Sequence, residues 1–494
     1  MITLPKTLPE RIAAAFLAVL WIVCVYRAAT QSIVHDEALT WQLYLATPFN
    51  SIFQVFDANH HFLNTLLMRF STTILGFSGL AMRLPALLGA AIFFVSLYRF
   101  CRWALGATWL LTIAAAAVAL NPFILDFMVA ARGYGLALAF WMAAVAFLAP
   151  QLESPIHDRK AVLIAGACAA FSVTANLIFV QPVAILAVLV IWYSIRRPKA
   201  AAASPSKKEN APPKKRRAEV QPAQRGLWFD FFLPAAIIAV VFLLSAPLEN
   251  AESRHFYTGA PSLALSLHSL AESTVAHGGA AAFHSFAMKA TDAVAFIFAP
   301  LVLLAGLVAA IRWRNLALMI ISVSACGSAI LVCLMHLALD FPYPADRTGI
   351  YFIAFVSLTI AAALAIPNRA VQSSAAAIAL LMLACFAIQF ETRYFSVWIY
   401  DAETDQIAAR FADFARAKPA ATFANSWVLE PALNFYRQTR HYDQLSPFTR
   451  QPLSPGNDYY AIDIQDQDTL RDLGLKIVYR GPASGTVIAV PGTH

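Results

Sequence analysis

Apolar stretches recur along this chain, most of them close to the roughly 18 to 20 residues that cross a bilayer, and they constrain its fold more than any motif does. Eleven are counted: Ile12–Ala29, Leu84–Phe100, Leu105–Leu120, Leu136–Ala149, Ala161–Ala175, Leu177–Ile195, Phe229–Ala246, Asp292–Ile311, Leu316–Leu337, Gly349–Ile366 and Ser374–Phe390. The fourth and fifth are the shortest. Only 13% of the residues are charged and mean hydropathy is +0.63, where a soluble chain carries roughly 25% charged residues. The chain is therefore read as a polytopic α-helical membrane protein. Its first span is expected to be an anchor, because no small-x-small cleavage pattern follows it and further spans do.

Lys and Arg placement sets the expected orientation. Arg99, Arg102, Arg159, Lys160, Arg312, Arg314 and Arg369 fall on one side of an odd count, together with the basic linker 196–227. That side is expected to be cytoplasmic, with the N-terminus on it. The linker is rich in Ala, Pro and Lys and has no aromatic residue between Lys199 and Gly226. It reads as a solvated tether, not as a nucleic-acid site. The six cysteines lie in or beside apolar spans, with neither a disulfide framework nor zinc spacing.

The opposite, exterior side holds an unusual segment, residues 31–81. Asp36 is positioned to cap a short helix running to about Ala46, which Pro48 ends. A second helix, Phe62 to Leu75, is expected to lie on the membrane surface. It would place Phe62, Leu63, Leu66, Leu67, Phe70 and Ile74 on one side, and Asn64, Thr65, Ser71 and Thr72 on the other. Leu263, Leu267 and Leu270 suggest a surface helix in a second exterior excursion, Glu249 to Thr291. Residues 396–494 differ in kind. A helical pattern (Ile407, Phe411, Phe414) precedes strand-like runs at Ala421–Trp427, Tyr459–Ile464, Leu475–Tyr479 and Thr486–Val490, with Asp468–Leu473 helical between two of them. The expected division is thus 1–395, a transmembrane domain, and 396–494, a small exterior α/β domain.

Charged residues at the membrane rim are expensive and by default functional. Asp36, Glu37, His60, His61, Asp126, Arg132, His336, Asp346 and Arg347 all collect on the exterior side. Asp36 and Glu37 are neighbours, so in a helix they diverge by about 100° and cannot serve one pocket equally. One can be a general base while the other caps or pairs. A helix cap is the plain alternative for Asp36, and an interfacial pair for His60–His61. A divalent metal would need a third ligand beside the histidines, from Asp36, Glu37 or Asp57. Gly133 and Gly135 beside Arg132 leave room for a phosphate to approach the backbone; the plain alternative for Arg132 is a snorkelling side chain. Arg347 is either a phosphate clamp or simply paired with Asp346. Neither a nucleophile elbow nor a P-loop nor a dinucleotide fingerprint is present.

The acidic pair after the first span, Arg83-Leu84-Pro85, Asn121-Pro122-Phe123, Ala131-Arg132-Gly133-Tyr134-Gly135 and Asp346-Arg347-Thr348 together resemble bacterial C-type-fold (GT-C) glycosyltransferases. More narrowly, the chain is similar to relatives of dolichyl-phosphate-mannose-protein mannosyltransferases and lipid A aminoarabinose transferases, over roughly residues 10 to 400. The resemblance implies a site at the exterior face of the cell (inner) membrane and a polyprenyl-phosphate sugar donor. The acceptor would be an envelope lipid, glycan or protein. It implies Asp36 as the catalytic acid residue, with Glu37 in support. His60, His61, Asn64, Arg132, Tyr134 and Arg347 would contact substrate, and Glu37, His60 and His61 would be the candidates for a metal. Asn59-His60-His61-Phe62-Leu63 departs from the family, which carries proline or lysine there. The competing readings are a transporter or flippase of a lipid-linked glycan, which needs no base, and a scaffold for envelope assembly with the tail as docking module.

Overall fold

A computed structural model describes residues 4–154, 156–196, 226–250, 259–278 and 281–492. Most of the basic linker lies outside the described residues.

Nine described helices are long and apolar enough to cross a membrane: Leu8–Thr30, Gly79–Leu105, Gly133–Glu153, Leu177–Arg196, Leu227–Ser245, Phe283–Trp313, Leu316–Leu339, Asp346–Ala363 and Arg369–Ile388. Each overlaps one of the expected spans. The fourth expected span, short in sequence, becomes a full 21-residue helix. The other two spans, the third and fifth, form the shorter helices Trp109–Ala119 and Arg159–Ala175, of 11 and 17 residues.

Ion pairs show that these two helices nevertheless carry the chain from one face to the other. The start of Leu8–Thr30 is held by Glu10 to Arg102 at 2.5 Å, and its end by Arg27 to Asp126 at 2.5 Å. Arg102 precedes Trp109–Ala119 and Asp126 follows it. Likewise His157 and Arg159 meet Asp230 at one end of Arg159–Ala175, while Ala175 abuts Gly133 and His61 at the other. Eleven residues rise only about 16 Å, short of a bilayer core of about 30 Å. Seven of the eleven residues of Trp109–Ala119 are buried in the bundle, and Asn121-Pro122 breaks the crossing before a further short helix, Pro122–Phe127. Buried in protein, such a break meets no lipid.

Helix Phe62–Leu75 has the two faces expected of it. Asn64, Thr65, Ser71 and Thr72 are buried, while Phe70, Ile74 and Leu75 are exposed. Its polar stripe packs on the protein, where Ser71 Oγ donates to the Ala81 carbonyl at 2.7 Å and Asn64 Nδ2 to the Ala131 carbonyl at 3.2 Å. The apolar side faces outward. Periodicity finds both faces of a helix but cannot say which one meets the protein.

The C-terminal part begins with helix Thr404–Ala417 and contains four strands: β1 (Phe423–Asn425), β2 (Tyr459–Ile462), β3 (Leu475–Arg480) and β4 (Val487–Pro491). The sheet order is β1-β2-β4-β3, with β1 and β2 parallel and the other pairs antiparallel. These strands and helix Asp468–Asp472 match the expected positions. A further helix, Glu430–Thr439, was not expected. It is the element that seats the tail on the segment after the first crossing. Phe435 meets Trp41 edge-on at 5.2 Å, and the Tyr436 hydroxyl accepts the Ile33 N–H at 2.7 Å. One apolar cluster joins Ile33, Ala38, Trp41 and Leu45 to Phe411, Leu433 and Phe435. The tail and the segment after the first crossing therefore share a core.

Candidate active site

The site starts with how a six-residue helix, His35–Thr40, is fixed. Its cap is not Asp36. The helix begins after Val34, whose N–H donates to Glu37 Oε2 at 3.1 Å. Glu37 Oε1 accepts the Ala131 N–H at 2.6 Å. Both carboxylate oxygens also take the Arg83 guanidinium, at 2.9 and 2.6 Å, in a pair with neither side chain exposed. Arg83 spends its remaining donors on the carbonyls of Ala28, Gln31 and Ser32. This knot binds the end of the first crossing, the short helix and the 130–132 turn into one unit. Breaking one partner of such a buried pair typically costs about 3–5 kcal/mol. It also leaves Glu37 with no oxygen turned to a cleft.

Asp36, one residue earlier, faces elsewhere. Its Oδ2 lies 3.3 Å from Arg347 Nη2 and 3.6 Å from Arg132 Nη2. Trp398 hydrogen-bonds to the same carboxylate. Burial alone would push this carboxyl up, but the two guanidinium groups outweigh it and hold Asp36 below its ordinary value. Two cations around one anion leave a surplus of positive charge. Arg132 is almost wholly buried, gives Nη1 to the Asn59 carbonyl at 3.3 Å, and has its Nε without a partner. Arg347 is positioned from three sides: by Asp36, by the Tyr134 side chain and by the Trp398 ring 5.7 Å away.

Arg347 does not pair off with Asp346. Asp346 sits at φ +50°, a left-handed conformation that aspartate tolerates better than most residues. Its N–H donates to Ser269 Oγ at 2.9 Å, and its Oδ1 accepts from Ser273 Oγ. Ser266, Ser269 and Ser273 share one face of helix Leu263–Val275, and Ser266 Oγ donates to the Pro344 carbonyl. The surface helix expected in this excursion thus braces the loop that carries Arg347. One turn further on, His277 Nε2 meets Asp126 Oδ2 at 2.9 Å, beside Arg27. Burial would raise Asp126, but Arg27 and His277 hold it below the ordinary carboxylate range.

The glycines do something other than admit a phosphate. A Cβ on Gly133 would stand 2.1 Å from the Ala175 carbonyl oxygen, and one on Gly135 would stand 1.9 Å from that of Phe127. Both spaces are filled by neighbouring backbone, so the glycines allow close helix approach.

His60 stacks on Tyr44 at 4.3 Å, and burial pushes it down to about 4. His61, edge-on to Tyr134 at 4.9 Å, is pushed well below its ordinary value, mainly by burial. Both rings are neutral near pH 7. With Thr348, Asn176, Gln181 and Tyr134 they line an open cleft of about 930 Å³, whose other walls include Phe56, Ile178, Val180 and Met335. His60 Nε2, His61 Nε2, Asn176 Nδ2 and Gln181 Oε1 are buried there without partners. Among the described residues no group of three or more His, Cys, Asp or Glu could hold a metal ion. Glu37, saturated by Arg83 and two backbone amides, does not join the two histidines. Asn64 is likewise turned to the Ala131 carbonyl and away from the cleft.

Sequence reasoning missed several members of this constellation. Trp398 stands in the linker after the last crossing, where a lone tryptophan beside Asp401 was the available signal. Asp401 Oδ2 accepts the His35 N–H at 2.6 Å and its Oδ1 accepts from Thr404. Burial, with the Asp36 charge nearby, pushes Asp401 well above the ordinary carboxylate value. Two carboxyl groups on either side of His35 are thus driven in opposite directions.

The described molecule is a polytopic membrane protein. Its buried Asp36 carboxylate lies between Arg347 and Arg132, and Tyr134, whose side chain meets Arg347, lines the half-apolar cleft. No protein-family model matches the chain, and no curated protein matches it. Among solved structures it is similar to ArnT from Cupriavidus metallidurans in the apo state. That likeness has 13% identity and a TM-score of 0.42, over 97% of this chain and 99% of the other. It is also similar to the same protein bound to undecaprenyl phosphate, at 12% identity and a TM-score of 0.41 over the same shares. At these scores the likeness is loose.

Proposed function

We propose that this protein is an inverting glycosyltransferase that moves a sugar from a polyprenyl-phosphate donor to an acceptor hydroxyl, at the exterior face of the cytoplasmic membrane. One observation carries the reading: an ionised Asp36 shares two guanidinium groups whose combined charge exceeds its own. A lipid phosphate entering the cleft would take up that surplus, with Arg347 and the unpartnered Arg132 Nε as donors. As the phosphate engages the arginines, Asp36 loses part of its stabilisation and becomes the stronger base. In the reaction the acceptor oxygen bonds to the anomeric carbon while the bond from that carbon to the phosphate oxygen breaks. The acceptor proton passes to the Asp36 carboxylate, and the polyprenyl phosphate leaves held by the arginines.

A retaining route needs two carboxyl groups about 5 Å apart across the sugar. Glu37 is consumed by Arg83, and Asp401 is pushed towards its neutral form, so a single displacement with inversion fits the residues better. No step needs a metal held by Glu37, His60 and His61. The cleft walls suit a prenyl chain, and the neutral histidines suit the hydroxyls of a sugar. The sequence resemblance to GT-C transferases points the same way.

The test is comparative mass spectrometry of envelope glycolipids and glycoproteins from wild-type and Asp36→Asn cells, followed by turnover of the identified donor by the purified chain. The expected result is a sugar mass missing in the variant. An Asp36→Asn protein with wild-type turnover sinks the proposal. Binding of a lipid-linked sugar, with movement across proteoliposomes but no transfer, would favour a flippase instead.

A further inference from the structure

His35 is left unused by the chemistry above, and it turns away from Asp36. Its Nδ1 donates to the Val428 carbonyl at 2.6 Å, and its ring meets the Trp427 ring edge-on at 5.8 Å. Val428 and Trp427 belong to the tail. The tail therefore reaches the residue next to the proposed base.

Trp427 is 55% exposed, although Asn425, Ser426, Leu429 and Glu430 around it are buried. An indole costs free energy when left in water. This one also lines an open groove of about 730 Å³, together with Ser426, Arg450, Gln451, Asp466 and Thr469. Arg450 is half used, with its Nε donating to Glu430 Oε2 at 3.1 Å. Among the described residues no cation pairs with Asp466. The groove therefore offers one aromatic face, one free carboxylate, one guanidinium with spare donors, an amide and two hydroxyls. Its charges nearly balance, so it selects neither anions nor cations. A flat π-face attracts the weakly positive C–H face of a pyranose. Planar polar groups on either side match vicinal hydroxyls as donors and acceptors. The groove shares no lining residue with the cleft beside His61.

We propose that this groove is a binding subsite for a neutral saccharide, the acceptor glycan, which reaches Asp36 past Trp427 and His35 while the lipid-borne donor arrives through the other cleft. The role as acceptor site rests on the transferase reading above; the binding of saccharide does not.

The experiment uses the full-length protein in a zwitterionic, sugar-free detergent. Saturation-transfer NMR is recorded with methyl β-glucoside, methyl α-mannoside and methyl β-galactoside as probes. At least one probe is expected to receive saturation from the wild type. Trp427→Ala should weaken that binding roughly tenfold, the scale of one aromatic contact, and Asp466→Asn should weaken it as well. Trp427→Phe should retain most of it. Trp427 is exposed, so its removal leaves the core intact. No transfer to any probe, or equal transfer with Trp427→Ala, overturns the subsite. Asp36→Asn separates the two proposals, since it should abolish sugar transfer and leave glycoside binding unchanged. If that variant still transfers sugar while Trp427→Ala loses binding, the transferase reading falls and the saccharide site stands.

Discussion

Arg347 reaches past its chain neighbour Asp346 to meet Asp36 at 3.3 Å, on a segment just after the first membrane crossing. Asp346 is held instead by Ser269 and Ser273 of helix Leu263–Val275. This leaves the guanidinium turned to Asp36, which it shares with Arg132. Asp36 and Arg347 thus form a resting contact that a phosphate can replace.

Removing that arginine should weaken the hold on the phosphate before it affects folding. Arg347→Gln is expected to raise the dissociation constant for a polyprenyl phosphate by roughly 10- to 100-fold, the worth of one charge-assisted hydrogen bond. Isothermal titration of the detergent-solubilised chain reads this directly, and unchanged affinity would remove Arg347 from the phosphate site.

The same variant should move the acid limb of the pH profile. Asp36 in the free protein is held below its ordinary value by Arg132 and Arg347, so kcat/KM should stay level through the usual aspartate range, about pH 4, and fall only below it. Loss of one of the two guanidiniums should shift that limb upward. A limb that stays in place would mean that Asp36 titration does not control the rate.

Asp401 carries the opposite sign. Its folded value is raised, so the stability it contributes is fully present below the unfolded value of about 3.9 and is lost as pH rises through the folded one. Asp401→Asn mimics the protonated form at every pH. The variant should match the wild type in acid and melt higher than it at alkaline pH, in a thermal-stability series read by size-exclusion fluorescence. Identical curves would place Asp401 in an ionised state.

Glu37→Gln should behave as a stability lesion. It leaves Arg83 buried and short of its counter-charge, at a cost of about 3–5 kcal/mol. Expected is a clear fall in melting temperature and yield. Replacing both partners together, Glu37→Leu with Arg83→Met, should recover part of the loss. If Glu37→Gln melts like the wild type yet is inactive, Glu37 acts in the chemistry itself.

Much of this architecture was legible in the residues. Nine of the eleven apolar stretches form described helices long and apolar enough to cross a membrane, and alternation located the four strands. The third and fifth stretches fold as shorter helices because other helices enclose them, where lipid sets no minimum. Helix Glu430–Thr439 was missed because its pattern is short and half polar, and only the partner surface of Trp41 and Ile33 makes it stable. The helix Phe62–Leu75 and its two faces were found, and the Ala81 and Ala131 carbonyls show which face meets the protein. At a membrane, either face of an amphipathic helix can be the inner one.

For the site, the sequence by itself determined that Asp36 and Glu37 must part company, since neighbours on a helix cannot aim alike. It also determined that rim charges this costly would be grouped. Only the tertiary structure decided which carboxylate went where. Glu37 is the one that Arg83 and two backbone amides can reach, and Asp36 is the one left for Arg132 and Arg347. That choice depends on contacts between segments far apart along the chain, and no local pattern encodes the direction in which a distant arginine will point.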